Sequence, residues 1–150
     1  MRVVIQRVTE AQVTIEGRIF SKIGKGLCIF FGVKTDDKEE ELDWLARKIV
    51  NLRIFSDEEG KMNKSVLDIK GEIMIISQFT LYASTKKGNR PSFINAEKPQ
   101  RAEEIYKKFI ENIESRIGSS VKSGVFGEDM KIKLENDGPV TILMDTDIKW

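Results

Sequence analysis

The sequence contains no histidine. That absence removes the Ser-His-Asp and Cys-His arrangements of nucleophilic catalysis and the HExxH type of zinc site. A single cysteine, Cys28, can neither close an intramolecular disulfide nor build a thiolate zinc site. Set inside the apolar run Leu27-Cys28-Ile29-Phe30-Phe31, it reads as a small core residue. No apolar run is long enough to span a membrane. The N-terminal stretch Met1 to Arg7 alternates like a strand rather than reading as a signal peptide. The sequon Asn63-Lys64-Ser65 therefore has no secretory context, and the expected compartment is the cytoplasm. No sign of charge dominates either. Lys and Arg number 25, Asp and Glu 24, and the net charge is +1. No global field attracts nucleic acid, so any RNA contact must use a local patch. What remains for chemistry is carboxylates, hydroxyls, backbone amides and groups on the substrate; no metal or cofactor is expected.

The 150 residues, 40% apolar and 33% charged, are expected to form one globular domain, 1–150. Its centre is Gly71 to Ala83, GEIMIISQFTLYA, the longest near-unbroken apolar run. Such a run, opened by Gly71 and closed by the polar loop Ser84 to Pro91, predicts a strand buried on both faces. Alternation would put Ile73, Ile75, Ser77, Phe79 and Leu81 on one face and Met74, Ile76, Gln78, Thr80 and Tyr82 on the other. Ser77, Gln78 and Thr80 then stand where the pattern asks for apolar groups. Buried polar groups need partners, so either the fold satisfies them or they line a cavity.

Around this strand the chain reads simply. Arg2–Thr9, Gln12–Phe20 and Leu27–Val33 are predicted strands of a meander. Asp36 to about Leu52 predicts a helix with a capping-box spacing at Asp36 and Glu39 and a buried stripe of Leu42, Leu45, Ala46, Ile49 and Leu52. The acidic run at 36–41 reads as a solvated first turn. Pro99 opens a second helix to about Ile117, with a core-facing stripe of Ala102, Ile105, Tyr106, Phe109, Ile110 and Ile113 and with Gly118 ending it. Val121–Phe126, Met130–Glu135 and Val140–Asp145 are further candidate strands, the last two separated by the turn signal Asn136-Asp137-Gly138-Pro139. The order βββ-α-β-α-βββ predicts an α+β fold: a mostly antiparallel sheet, partly closed into a barrel, with two helices.

Three segments can carry chemistry. Ser77-Gln78-Phe79-Thr80, where a strand meets a loop, can present side chains and backbone N–H groups as an oxyanion hole. Thr80 is a candidate nucleophile for which no histidine base exists. Asn136 to Thr141 is either an ordinary tight turn or, with a cis Gly138–Pro139 bond, a pair of carbonyls suited to an ammonium group. The basic loop carrying Lys86, Lys87 and Arg90 is either solvated or a grip for phosphates. Both helices carry mixed charge, so no DNA-recognition helix stands out, and no DNA partner is expected.

Taken together and in this order, Ser77-Gln78-Phe79-Thr80-Leu81 and Asn136-Asp137-Gly138-Pro139-Val140-Thr141 resemble the two signature motifs of the D-aminoacyl-tRNA deacylases. Met1 to Val8, Ile23 to Leu27, Gly32-Val33 and Gly124-Val125-Phe126-Gly127 with Met130 extend the resemblance over nearly the whole chain. It implies an enzyme that hydrolyses the ester between a D-amino acid, or wrongly loaded glycine, and the terminal adenosine of tRNA. It further implies a homodimer in which Gly138–Pro139, in a cis bond, inserts into the partner's site, holds the substrate amino group and leaves no room for an L side chain. Ser77, Gln78, Phe79 and Thr80 would form the pocket floor and oxyanion site. Phe126 and Met130 would line the adenosine pocket, and Arg7 would support the Gly-Pro conformation. For attack, the ribose 2′-OH of the substrate is favoured over Thr80, because no base is visible for the threonine.

Three other readings compete: an editing domain that clears a wrong L-amino acid, a non-catalytic nucleic-acid-binding module, and a structural dimer whose polar groups are satisfied internally. The last predicts no open cleft beside Ser77.

Overall fold

The computed structural model describes residues 1–149. Strand β1 (Arg2–Ile15) is the spine. It turns at Glu16-Gly17, both at positive φ, into β2 (Arg18–Ile23). A second turn leads to β3 (Gly26–Gly32). Helix α1 (Glu41–Val50), the short pair β4 (Phe55–Ser56) and β5 (Met62–Lys64), and the central strand β6 (Glu72–Ser77) follow. A single 3-10 turn (Phe79–Tyr82) and helix α2 (Pro99–Ile117) lead to β7 (Lys122–Ser123) and the long β8 (Lys131–Asp145).

The sheet order is β2-β1-β3-β6-β7, with β8 on the other edge of β1. β1 pairs antiparallel with β2, β3 and β8, while β3–β6 and β6–β7 are parallel. The Ser21 hydroxyl donates to the Ser123 carbonyl at 2.7 Å and ties β2 to β7, which curls the sheet towards a barrel. The α+β reading with two helices on a mostly antiparallel, partly closed sheet is what the molecule adopts. α1 and α2 cover one face and bury Leu45, Ile49, Ile105, Phe109 and Ile113 against Ile5, Ile29, Phe31 and Ile75. The opposite face closes over a smaller core of Val8, Val13, Ile23, Cys28, Met74 and Ile76. Both α1 and α2 show apolar residues at helical spacing, which is why their buried faces were legible in advance. Among the described residues no helix is long and apolar enough to cross a membrane.

Several boundaries differ from expectation. The first two predicted strands are one continuous β1, and the reversal falls at Gly17, in the middle of the second. A hydrophobic alternation does not register a strand that changes partners, from β3 over Arg2–Val8 to β2 over Ala11–Ile15. Helix α1 begins at Glu41, without a side-chain cap, so the Asp36/Glu39 capping box does not form. Asp36 takes φ +71°, and Asp37 is buried instead of solvated. Its carboxylate accepts a hydrogen bond from the Met1 ammonium at 2.6 Å, and that ammonium also donates to Thr146 Oγ1 at 2.6 Å. Only Lys122 and Ser123 of the predicted 121–126 strand pair with a neighbour.

The segment Asn136–Pro139 is not a hairpin turn. Both halves of β8 run antiparallel to the same β1, with Gln6 opposite Thr141 and Val8 opposite Asn136. β1 advances two residues where β8 advances five, so three extra residues of β8 loop out of the sheet.

The central strand ends early. β6 stops at Ser77, and the chain folds over into the 3-10 turn, so the alternation beyond Ser77 does not hold. Gly32 makes this possible. A Cβ there would lie 2.9 Å from the Gln78 carbonyl oxygen and 3.2 Å from Leu81 Cβ, so only glycine lets the turn seat on β3.

Candidate functional site

At the open end of β6 lies a cleft of about 460 Å³. Its walls come from three elements. Ser77, Gln78 and Phe79 form one side, and the start of α2 with its approach, Glu97 to Ala102, forms another. Phe126 and Gly127 close the third. The floor is aromatic and aliphatic. Phe31 stacks on Phe109 at 4.3 Å, Tyr106 lies 6.0 Å from Phe126, and Phe79 meets Phe93 edge-on at 5.0 Å. Such a lining suits a flat heterocycle, because each ring offers a π face or edge at low entropic cost.

The polar groups cluster at the Ser77 end. The Gln78 side-chain amide donates to Thr80 Oγ1 at 2.5 Å, so the two form one unit at the exposed rim. Gln78 N–H is occupied by the Phe31 carbonyl at 2.8 Å, and Leu81 N–H by the Gln78 carbonyl at 3.3 Å. Between them, the first N–H groups of the 3-10 turn, those of Phe79 and Thr80, have no partner inside the turn. Two adjacent free N–H groups at the edge of a cleft can stabilise a developing oxyanion. The tertiary structure thus answers the question posed by Ser77, Gln78 and Thr80: Gln78 and Thr80 satisfy one another at the rim, and Ser77 and Gln78 line an open cavity.

Tyr106 reaches the floor of the cleft, but its hydroxyl donates to the Ile75 carbonyl at 2.7 Å, and burial pushes its pKa up to about 12. It is a fixed donor at neutral pH and cannot serve as a base. Burial likewise pushes the Cys28 thiol up to about 12, and it sits in the core away from the cleft.

The remaining expected residues divide. Phe126 lines the cleft; Met130 is not among its lining residues. The Met130 sulfur instead occupies the space a side chain at Gly124 would take, and it packs on the smaller core of Val8, Cys28 and Met74. Gly138 and Pro139 lie outside the cleft, exposed, at the tip of the loop in β8, with a cis peptide bond between them. Gly138 has φ +121°, a region that favours glycine. Arg7, 9% exposed, holds this loop down: Nε donates to the Asp137 carbonyl at 3.2 Å and Nη1 to the Ile54 carbonyl at 2.6 Å. The Asn136 amide adds bonds to the Arg7 and Val140 carbonyls at 3.0 and 2.9 Å. Lys86, Lys87 and Arg90 are exposed in a loop pinched by paired backbone bonds between Ser84 and Ser92, and they make no ion pair among the described residues.

The residues that the sequence did not flag come from elsewhere in the chain: Phe31 and Val33 at the end of β3, Phe93 in the loop, Glu97 and Lys98 before α2, and Tyr106 on α2. Phe31 and Tyr106 had read only as core. Nothing local marks Glu97, whose place depends on where α2 docks.

Comparison with known proteins gives concordant results. The family model described as D-Tyr-tRNA(Tyr) deacylase matches residues 4–145. A D-aminoacyl-tRNA deacylase of Bacteroides thetaiotaomicron is 57% identical over 146 residues, covering 97% of each chain. One of Parabacteroides distasonis is 56% identical over 149 residues, covering 99% of each. Among solved structures, the c-Myc DNA Unwinding Element Binding Protein superposes with a TM-score of 0.91 at 44% identity, over 97% of this chain and 99% of that one. A probable eukaryotic D-amino acid tRNA deacylase gives a TM-score of 0.83 at 17% identity over 95% and 97%, a likeness of fold.

Proposed function

This chain belongs to the D-Tyr-tRNA(Tyr) deacylase family, hydrolases of the aminoacyl-tRNA ester bond, and on that premise we propose how its cleft performs the reaction. It is a D-aminoacyl-tRNA deacylase. The observation that carries the proposal is the junction of β6 with the 3-10 turn, where Ser77, Gln78 and Phe79 line an aromatic cleft of about 460 Å³ and the first N–H groups of the turn have no partner within it.

In this reading the terminal adenosine of tRNA enters the aromatic part of the cleft, against Phe126 and Phe79; Met130 supports that end of the site from the smaller core, by way of Gly124. The ester carbonyl lies beside Ser77 and Gln78. Its oxygen receives the Phe79 and Thr80 N–H groups as charge develops. Water attacks the carbonyl carbon. The ribose 2′-OH accepts a proton from the water and relays a proton to the departing 3′ oxygen, so the products are the free D-amino acid and tRNA with its 3′-OH restored. Thr80 acts through its backbone, and its hydroxyl is held by Gln78.

The unit acts as a homodimer. Gly138 and Pro139 are exposed, lie away from their own cleft and are fastened by Arg7, which suits a loop that inserts into the partner's site. There its carbonyls take the substrate ammonium, and its backbone fills the space an L side chain needs. Glycine, with no side chain to reject, is also released. Lys86, Lys87 and Arg90 contact phosphates of the tRNA end. Residues 1–150 work as one domain in the cytoplasm. The DNA-binding name of the 44% identical structure belongs to that protein. In this chain a net charge of +1 favours a small, local RNA contact, and DNA is not a partner.

The test is release of D-Tyr and L-Tyr from the same tRNA. Rapid loss of D-Tyr with L-Tyr retained is expected. Equal rates on both enantiomers, or release of L-Tyr alone, would point to the editing of L-amino acids instead, and binding without turnover to a nucleic-acid-binding module.

A further inference from the structure

The cleft contains one carboxylate, and the mechanism above leaves it unused. Glu97 lines the cleft, and its side chain is only 8% exposed. Its position follows from the edge of β3. Along β6 the ladder continues as far as Gln78, whose N–H donates to the Phe31 carbonyl at 2.8 Å. The next carbonyl pointing the same way is that of Val33. β6 has by then turned aside into the 3-10 turn, and the N–H of Glu97 takes that carbonyl instead, at 3.0 Å. Gln78 and Glu97 are therefore successive rungs on one strand edge, two residues of β3 apart. At the usual strand rise their backbones are separated by about 7 Å, roughly the width of a ribose.

The carboxylate is held still. Oε1 accepts the Lys98 N–H at 2.8 Å, and Oε2 is paired with Arg101. Arg101 in turn donates to the Asp37 carbonyl at 2.6 Å. Each carboxylate oxygen can accept two hydrogen bonds. Both keep an acceptor position after these contacts, and a half-used buried carboxylate beside a substrate cleft is an acceptor for a hydroxyl donor.

We propose that Glu97 accepts a hydrogen bond from the 2′-OH of the terminal ribose and fixes the orientation in which that hydroxyl assists attack. The inference rests on the 2′-OH reading above. The ribose hydrogen stays on the 2′ oxygen in this contact, and the proton relayed to the 3′ oxygen is the one the hydroxyl receives from water. Glu97 positions the hydroxyl, and the N–H groups of Phe79 and Thr80 act on the ester oxygen. Pre-set orientation of this kind acts on the chemical step more than on binding.

The experiment is a two-by-two comparison. Wild type and Glu97→Gln are each assayed on D-Tyr-tRNA ending in adenosine and in 2′-deoxyadenosine. On the ribose substrate, Glu97→Gln is expected to lower kcat about tenfold or more with KM little changed. On the deoxy substrate the two enzymes should be equally slow, because the partner of Glu97 is gone. Loss by the same factor on both substrates would assign Glu97 to the substrate ammonium or to support of α2, and would overturn the proposal. So would an unchanged rate on the ribose substrate. An undiminished wild-type rate on the deoxy substrate overturns the 2′-OH reading itself, and with it the role of Glu97; that result is read in the wild-type arm alone. Arg101→Gln serves as the second variant. It breaks the same support while leaving the carboxylate in place, so a purely structural role predicts the full Glu97→Gln loss from it. The proposal predicts a smaller loss, confined to the ribose substrate, because Arg101 acts by holding the Glu97 carboxylate.

Discussion

Replacing Gly32 with alanine tests whether the turn over β3 builds the site. Gly32 does not have a left-handed φ, so the substitution adds no backbone strain, and its effect is steric. The new Cβ would sit 2.9 Å from the Gln78 carbonyl oxygen and 3.2 Å from Leu81 Cβ. The nearer atom is backbone and cannot rotate away. Either β3 or the 3-10 turn must move by several tenths of an ångström, and the turn, on the protein's edge, yields more easily than a strand paired on both sides. Overpacking of this size costs about 1–3 kcal/mol, which lowers Tm by about 3–10 °C for a chain of this length. The larger effect is on chemistry. The turn carries the N–H groups of Phe79 and Thr80, and a shift approaching 1 Å in an aligned group costs about a hundredfold in rate. Differential scanning calorimetry and single-turnover release of D-Tyr from tRNA measure the two effects separately. The expected result is a modest fall in Tm with a large fall in the single-turnover rate. An unaltered rate with lowered Tm would show that the position of the turn does not matter to catalysis. An unaltered Tm and rate would show that the contact at Gln78 relaxes freely, and the reasoning from close approach would fail.

Other perturbations give clear expectations. Thr80→Ala removes the hydroxyl but keeps the N–H, so it should retain substantial activity; an acyl group trapped on Thr80 in the wild type, or complete loss of turnover with tRNA binding intact, would refute the backbone role. Asp37→Asn leaves the buried Met1 ammonium without its counter-charge. That should cost about 3–5 kcal/mol, a fall in Tm of roughly 10 °C or more, and a fall of under 2 °C would mean that Thr146 alone satisfies the ammonium. Acid stability follows from five carboxylates held below their ordinary range, Glu10 and Glu58 by lysine partners and three aspartates besides. Asp57 is lowered chiefly by the Asn63 amide, Asp68 by the Ser65 backbone N–H and hydroxyl, and Asp147 by Lys34. A depressed folded pKa means that the unfolded chain binds more protons, so the stabilisation is complete above the ordinary Asp and Glu range and is lost as pH falls below it. The urea midpoint should hold steady from neutral pH to about pH 5 and decline towards pH 3; a flat midpoint down to pH 3 would refute this.

The sequence alone determined the class of fold and the chemistry that was open to it. Helical stripes at 42–49 and 105–113 and the apolar run at 73–76 are set by local periodicity, so their buried faces were readable in advance. The missing histidine already directed attention to backbone N–H groups and to the substrate's own hydroxyl. What the sequence did not determine is where strands end and what they end against. Ser77 to Tyr82 has the composition of a continuing strand, and only the close approach allowed by Gly32 shows that it folds into a turn with two free N–H groups. Asn136–Pro139 has the composition of a hairpin, but both of its flanks pair with the same β1, so it becomes a projecting loop. Asp37 and Glu97 are ordinary acidic residues in the sequence. Burial next to the Met1 ammonium and docking of α2 on the edge of β3 are long-range events, and those contacts alone make one of them an anchor and the other part of the cleft.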